Sequence, residues 1–189
     1  MIKVDLIAHT PEPEKLVATA AKLCYSSSDI DSLRKGLTED KIESFIDMLV
    51  SIGHESVMEH VSFTFGIEGI SRACSHQLVR HRIASYSQKS QRYVNENGFD
   101  FIAPPDIEAI PEAKTEFDRI MQEISQSYEK IADILTKKHT AELVSEGLDE
   151  KNAVSKAKKL ACEDARFLLP NACETKIVVT MNVRSLFNF

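Results

Sequence analysis

The alternation and spacing of apolar residues divide the chain into elements before any chemistry is considered. Residues 2–8, Ile-Lys-Val-Asp-Leu-Ile-Ala, alternate well enough for a strand. Pro11 and Pro13 open a short helix from Glu12 to Leu23. Ser26-Ser27-Ser28-Asp29 reads as a loop. Thr38 is a suitable N-cap for a helix from Glu39 to Ile52, and Gly53 is its natural stop. Ile42, Phe45, Ile46, Leu49 and Val50 share one face of that helix. Val61, Phe63 and Phe65 alternate with Ser62 and Thr64, which predicts a strand. A helix from Ser71 to about Arg80 follows and leads into a basic segment.

Pro104-Pro105 separates this half from a long helical hairpin. Phe117, Ile120, Met121, Ile124, Tyr128, Ile131 and Leu135 keep helical spacing over several turns. A second helix runs from near Asp149 to before Pro170, with Val154, Ala157, Leu160, Ala161 and Leu168 as its apolar stripe. Ile177-Val178-Val179 predicts a short buried strand, and Asn182 a cap for a last helix. There are no repeats and no low-complexity segment. The order implies one α+β domain over residues 1–189: a mixed sheet with flanking helices, and a helical pair over 107–169 forming a layer of its own.

Composition narrows the class. The chain has 189 residues, 43% hydrophobic and 28% charged, which suits one domain with a real core. No apolar run approaches the roughly 20 residues that span a bilayer. Met1-Ile2-Lys3-Val4-Asp5 lacks the apolar block of a secretory signal, so the expected location is the cytoplasm, with no membrane partner. Cys24, Cys74, Cys162 and Cys173 show no C-x-x-C spacing. They read as four buried or half-buried structural thiols, not as disulfides or zinc ligands.

The net charge of −6 argues against a nucleic-acid partner. The charge is uneven, however. No acidic residue falls between Glu68 and Glu96, while Arg72, Arg80, Arg82, Lys89 and Arg92 do, with His76 and His81. A solvated basic helix face accounts for the arginines but not for the absence of Asp and Glu. An acidic protein that clears carboxylates from one segment is better read as holding an anion there.

Within that segment Arg80-His81-Arg82 is followed by Ile83, Ala84, Ser85, Tyr86, Ser87, Gln88, Lys89, Ser90, Gln91, Arg92 and Tyr93. Guanidinium forks fit phosphate oxygens in pairs, and hydroxyls and backbone N–H groups complete such a cradle. Arg80 and Arg82 do not share a helix face, so they address two groups. A surface cluster pairing with acidic helices is the competing reading, and spacing alone leaves both open.

Arg-His-Arg-x-x-Ser-x-x-x-x-Ser-x-Arg, at Arg80, His81, Arg82, Ser85, Ser90 and Arg92, resembles the signature of the flavin-dependent thymidylate synthases. Three more blocks are similar to that family: Gly53-His54-Glu55-Ser56-Val57-Met58-Glu59-His60, Ala165-Arg166-Phe167-Leu168-Leu169-Pro170, and Asn182-Val183-Arg184-Ser185-Leu186-Phe187-Asn188-Phe189. The resemblance covers the chain from about residue 50 to its end.

It implies a thymidylate synthase-complementing type of fold. The implied reaction makes dTMP from dUMP, with methylenetetrahydrofolate as carbon donor, FAD as cofactor and NADPH as reductant. It implies that Arg80, His81 and Arg82 hold FAD, with Arg80 also facing the nucleotide. Ser56, Asn182, Arg184 and Asn188 would complete the flavin pocket. Gln77, Lys89, Ser90, Arg92 and Arg166 would grip dUMP, and Gln88 would touch both ligands. His54 would lie where the folate stacks. The family's homotetramer builds each site from several subunits.

No Cys sits in an activating motif, in keeping with hydride delivery by flavin in place of a thiolate nucleophile. Ser90 has no evident base and reads as a hydrogen-bonding group. His54-Glu55-x-x-x-x-His60 is not H-E-x-x-H, since six residues put the histidines on different faces of a helix. No metal is expected, and Glu59 and His60 read as satisfying backbone groups in a loop. The chain departs from the family at Ser87 and Gln88, where Asn and Glu are usual. The family also continues past Phe189 with an Arg that contacts uracil, so the catalytic residue is expected beyond Phe189 and none is assigned here. A catalytically silent flavin- and nucleotide-binding regulatory protein is the alternative. An RNA-binding module would need more stacking aromatics than Tyr86 and Tyr93.

Overall fold

The computed structural model describes residues 1–92 and 98–189. In chain order the elements are β1 (Lys3–His9), α1 (Pro13–Leu23), α2 (Ile30–Lys35), α3 (Glu39–Ser51), a 3-10 helix (Glu55–His60), β2 (Ser62–Ser71), α4 (Arg72–Leu78) and β3 (Ala84–Gln88). There follow α5 (Pro105–Ala109), α6 (Pro111–Ser145), α7 (Glu150–Ala165), a second 3-10 helix (Arg166–Leu168), β4 (Glu174–Asn182) and α8 (Val183–Phe187). The α+β class and the long hairpin are as expected. The four strands pair in the order β1-β2-β4-β3, and the sheet is antiparallel where a mixed one was expected.

The chain forms two compact units. One comprises Lys3–Ile67, Leu78–Ser87 and Ile177–Phe189; the other comprises Met1–Ile2, Glu68–Gln77 and Gln88–Lys176.

The first unit is organised around α1 and α3. Val17, Ala21, Leu49, Val57 and Val61 form its buried core, ringed by Leu16, Phe45, Ile46, Phe63 and Val183. Four of the five predicted positions on α3 face inward, but Val50 is 54% exposed. It lies about 100° around the helix from Leu49 and falls off the stripe. Gly53 stops the helix as predicted, in the left-handed region at φ 68 that favours glycine. Helix α2 was not expected. It is too short for a period to show, and its signal is a cap: Asp29 Oδ1 accepts from the Ser32 N–H at 2.9 Å.

The second unit is dominated by α6 and α7. Of the expected stripe on α7, Ala157 and Ala161 are buried, Val154 and Leu160 partly so, and Leu168 is exposed. The fully packed positions are Ala153, Ala157, Ala161 and Ala165, each at most 1% exposed. A spacing of four keeps them on one face, and methyl groups there let the helices approach closely. On α6 Tyr128 is completely buried, and it packs with Ala132 and Ala165. Ile131, expected inside, is 37% exposed, and Ala132 takes its place.

Strand β4 is longer than predicted and alternates, so Val178 points outward at 40% exposure between buried Ile177 and Val179. Cys162 and Cys173 are buried as expected, but Cys24 and Cys74 are exposed.

The basic segment was expected to run from helix into loop, yet residues 84–88 form a strand. It carries serines on one face and only Ala84, Tyr86 and Gln88 on the other, too weak a hydrophobic alternation to announce it. Pairing beside β4 makes it a strand, and just past its end the Lys89 N–H donates to the Lys176 carbonyl at 3.0 Å.

Gln88 ends that strand with its amide among hydroxyls. Its Nε2 lies 2.7 Å from Ser75 Oγ and 3.2 Å from Thr175 Oγ1. Ser75 is completely buried and already donates to the Arg72 carbonyl at 2.9 Å, so it accepts from Gln88. The position therefore needs a donor. Gln88→Glu would set a carboxylate against an oxygen whose proton is committed, and that contact with burial raises the carboxyl's folded pKa. A carboxyl raised in this way stabilises the fold below its unfolded value of about 4.3 and loses that contribution as pH rises through the folded value. The variant should fall behind the parent by about 1–3 kcal/mol near neutral pH, and less under mild acid. Denaturant melts across pH check this; a deficit that does not change with pH would refute the donor role.

Candidate functional site

In the first unit Arg80-His81-Arg82 occupies the turn between α4 and β3. The His81 N–H donates to the Leu78 carbonyl at 3.2 Å. From β3 the Tyr86 hydroxyl reaches back to within 3.0 Å of the Leu78 carbonyl and 2.9 Å of the His81 carbonyl, closing the turn. Burial pushes the Tyr86 phenol up, and the Arg82 guanidinium partly opposes this. Ile83 sits at φ 62 with its side chain 77% exposed. A β-branched residue held there costs on the order of 1–3 kcal/mol, a strain localised beside the arginines. Arg80, His81 and Arg82 are exposed. Neither guanidinium makes an ion pair with a described residue, so the surface-pairing alternative fails for both. The His81 ring lies 4.6 Å from that of Phe189.

The other flavin-pocket candidates of this unit gather on α8 and the first 3-10 helix. Asn182 caps α8 as predicted, its Oδ1 accepting from the Ser185 N–H at 2.8 Å. The Val183 N–H donates to the Val61 carbonyl at 2.9 Å, and Asn188 Nδ2 to the Arg184 carbonyl at 3.0 Å. Arg184 is already engaged. It bonds to the Glu59 carboxylate and lies 3.7 Å from Glu55 Oε2. Glu59 therefore pairs with a guanidinium, not with backbone groups as expected, because the 3-10 helix presents it to α8. Ser56 is exposed and His54 half-buried. His54 stands at the N-cap, outside the turns of the 3-10 helix, while His60 is its last residue and is exposed.

The second unit carries the nucleotide candidates. Gln77 is exposed on α4. Gln88 turns inward, as described above. Lys89 is half-buried, and its carbonyl accepts from Arg72 Nη1 at 3.4 Å. Ser90 Oγ accepts from the Arg92 N–H at 3.2 Å. Arg92 directs Nε and Nη2 to Glu163 Oε1, at 2.8 and 2.5 Å. Arg166 donates from Nε to the Glu163 main-chain carbonyl at 3.1 Å and packs over the Phe167 ring. An ion pair of Arg166 with the Glu163 carboxylate, the bland alternative for that arginine, is not what forms. Ser90, Arg92 and Arg166 are thus linked through Glu163; its place three residues before Arg166 marked it in the sequence as a neighbour of that arginine, but nothing local tied it to Arg92, 71 residues away. Tyr93 lies outside the described residues.

Concavity points elsewhere. A groove of about 710 Å³ lies in the first unit, and its walls include Glu12, Glu14, Glu39, Glu43 and Asp47. None of the predicted residues lines it, and its charge repels anions. Chemistry marks the candidate site: the guanidiniums of Arg80 and Arg82, in no ion pair among the described residues, suit the phosphates of a dinucleotide. No helix among the described residues is long and apolar enough to cross a membrane.

Comparison with known proteins agrees with the motif. The profile of the thymidylate synthase complementing protein family matches residues 5–189. A flavin-dependent thymidylate synthase of Clostridium tetani is 52% identical over 188 residues, covering 100% of this chain and 72% of that protein. One from Geobacter sulfurreducens is 48% identical over 190 residues, with the same two coverages, 100% and 72%. A UMP/dUMP methylase, PolB of Streptomyces cacaoi, solved with 5-Br dUMP, has a similar fold. The TM-score is 0.59 at 22% identity, over 100% of this chain and 76% of that one. The motif at Arg80–Arg92 and a family match spanning nearly the whole chain lead to one conclusion: this chain belongs to the thymidylate synthase complementing protein family, the flavin-dependent thymidylate synthases.

Proposed function

We propose that this protein is a thymidylate synthase that methylates dUMP to dTMP, with methylenetetrahydrofolate as carbon donor, FAD as cofactor and NADPH as reductant. Residues 1–189 act as one domain, working in the cytoplasm. The observation that carries this reading is the pair of exposed guanidiniums at Arg80 and Arg82, neither in an ion pair among the described residues, within the family signature.

Arg80 and Arg82 hold the phosphates of FAD, and the closed turn keeps them from collapsing onto the surface. His81 lies beside them. Ser56, Asn182, Arg184 and Asn188 border the same ligand; Arg184 keeps its orientation through Glu55 and Glu59. Bound there, reduced flavin supplies the hydride that completes the methyl group on the nucleotide. Gln77, Lys89, Ser90, Arg92 and Arg166 bind dUMP, with the arginines on its phosphate. Gln88 serves them by fixing the end of β3. His54 borders the folate. The reaction needs no nucleophile from the four cysteines, because the cofactor carries the difficult step.

Four copies share the sites between them. Support comes from β1, an edge strand on which Val4, Leu6 and Ile7 are each more than half exposed, a pattern that invites burial against another chain.

The deciding experiment supplies dUMP, methylenetetrahydrofolate, FAD and NADPH to the purified protein and measures dTMP. Formation of dTMP is the expected result; flavin and dUMP binding without it would identify the silent regulatory protein instead. Arg82→Ala should weaken flavin binding about tenfold or more, as for a lost charge-assisted bond, with the melting temperature little changed. Flavin fluorescence titration reads this directly, and unaltered affinity would remove Arg82 from the flavin site. Light scattering on the eluting protein should give a mass of about four chains, and a monomer would contradict shared sites.

A further inference from the structure

Two arginines read as phosphate ligands converge on one acidic residue that the binding reading leaves without a task. Glu163, in the last turn of α7, offers one carboxylate oxygen to Nε and Nη2 of Arg92. Its main-chain carbonyl takes Nε of Arg166 at 3.1 Å. A carboxylate this close to a phosphate site is costly by charge alone, since it repels the ligand. Its retention there calls for a compensating gain.

We infer that Glu163 is a positioning residue: it fixes Arg92 and Arg166 as a pair aimed at one phosphate monoester, the 5′-phosphate of the nucleotide. The inference rests on the reading above that these arginines grip dUMP. The geometry supports it in three ways. Two donors meeting one carboxylate oxygen set the plane of the Arg92 guanidinium, where a single contact would leave it free to rotate. The Arg92 main chain is held as well, by Ser90 Oγ at 3.2 Å. Arg166 is tethered through Nε and braced on the Phe167 ring, which leaves its two terminal amino groups to approach a ligand together. Glu163 is only 33% exposed, and buried Ala161, Cys162 and Ala165 around it anchor its backbone, so both tethers start from a rigid point.

A positioning role and a competing role predict opposite results. Calorimetric titration of the flavin-loaded protein with dUMP and with deoxyuridine, which lacks the phosphate, separates them. Glu163→Ala should weaken dUMP binding at least about fivefold and leave deoxyuridine within about twofold. Both variants keep the backbone carbonyl that holds Arg166, and Glu163→Gln alone keeps a side-chain acceptor for Arg92, so it should recover most of the loss at an unchanged melting temperature. Equal or tighter dUMP binding by Glu163→Ala would overturn the inference, because the carboxylate would then be a bystander or a competitor. So would a loss shared equally by dUMP and deoxyuridine. If the parent protein itself bound the two ligands equally, the phosphate role of Arg92 and Arg166 would fall, and the inference with it.

Discussion

On an acidic protein a guanidinium stays available to a ligand only where no carboxylate can reach it, or where the carboxylate that reaches it improves its aim. This constraint orders the chemistry of the chain. With a net charge of −6, random placement would neutralise most arginines. Arg80 and Arg82 escape because no acid lies near them in sequence, and the Tyr86 hydroxyl closes their turn onto backbone carbonyls instead of side chains. Arg184 and Arg92 meet carboxylates, and in each case the partner stands on another element, so the pair fixes one side chain against the fold.

Packing serves the same end. The alanine face of α7 carries no long side chains, so it docks closely and leaves Glu163 and Arg166 at its C-terminal end on a stiff support. The helix then tightens to 3-10 and stops before Pro170, which has no N–H to continue it. Gln88 ties the end of β3 into a pair of buried hydroxyls, Ser75 and Thr175. Polar groups with all their partners satisfied hold a backbone in one place more specifically than apolar contacts do. The strain at Ile83 is tolerated within a turn closed by these hydrogen bonds.

Much of this was legible beforehand, and the reasons are local. Alternation disclosed β1 and β2, prolines disclosed α1, and spacing disclosed α3, α6 and α7; the cap at Asn182 acts where it was placed, whereas Thr38 stands at the N-cap of α3 without a side-chain capping bond. The motif at Arg80–Arg92 pointed to the family on its own. Val50, Ile131, Leu168 and Val178 were misplaced because hydrophobicity alone does not say which side of an element is covered.

Other features depended on partners distant in the chain. Strand β3 has no apolar period of its own and exists because β4 pairs with it. Glu163 stands 71 residues from Arg92, and Glu59 stands 125 from Arg184. The sequence by itself determined the element types, the acid-free basic segment and the family, because propensity, capping and motif spacing act within a few residues. Only the tertiary structure decided which carboxylate holds which arginine and that Gln88 turns inward. Those outcomes follow from sheet register and helix contact, which no local window contains.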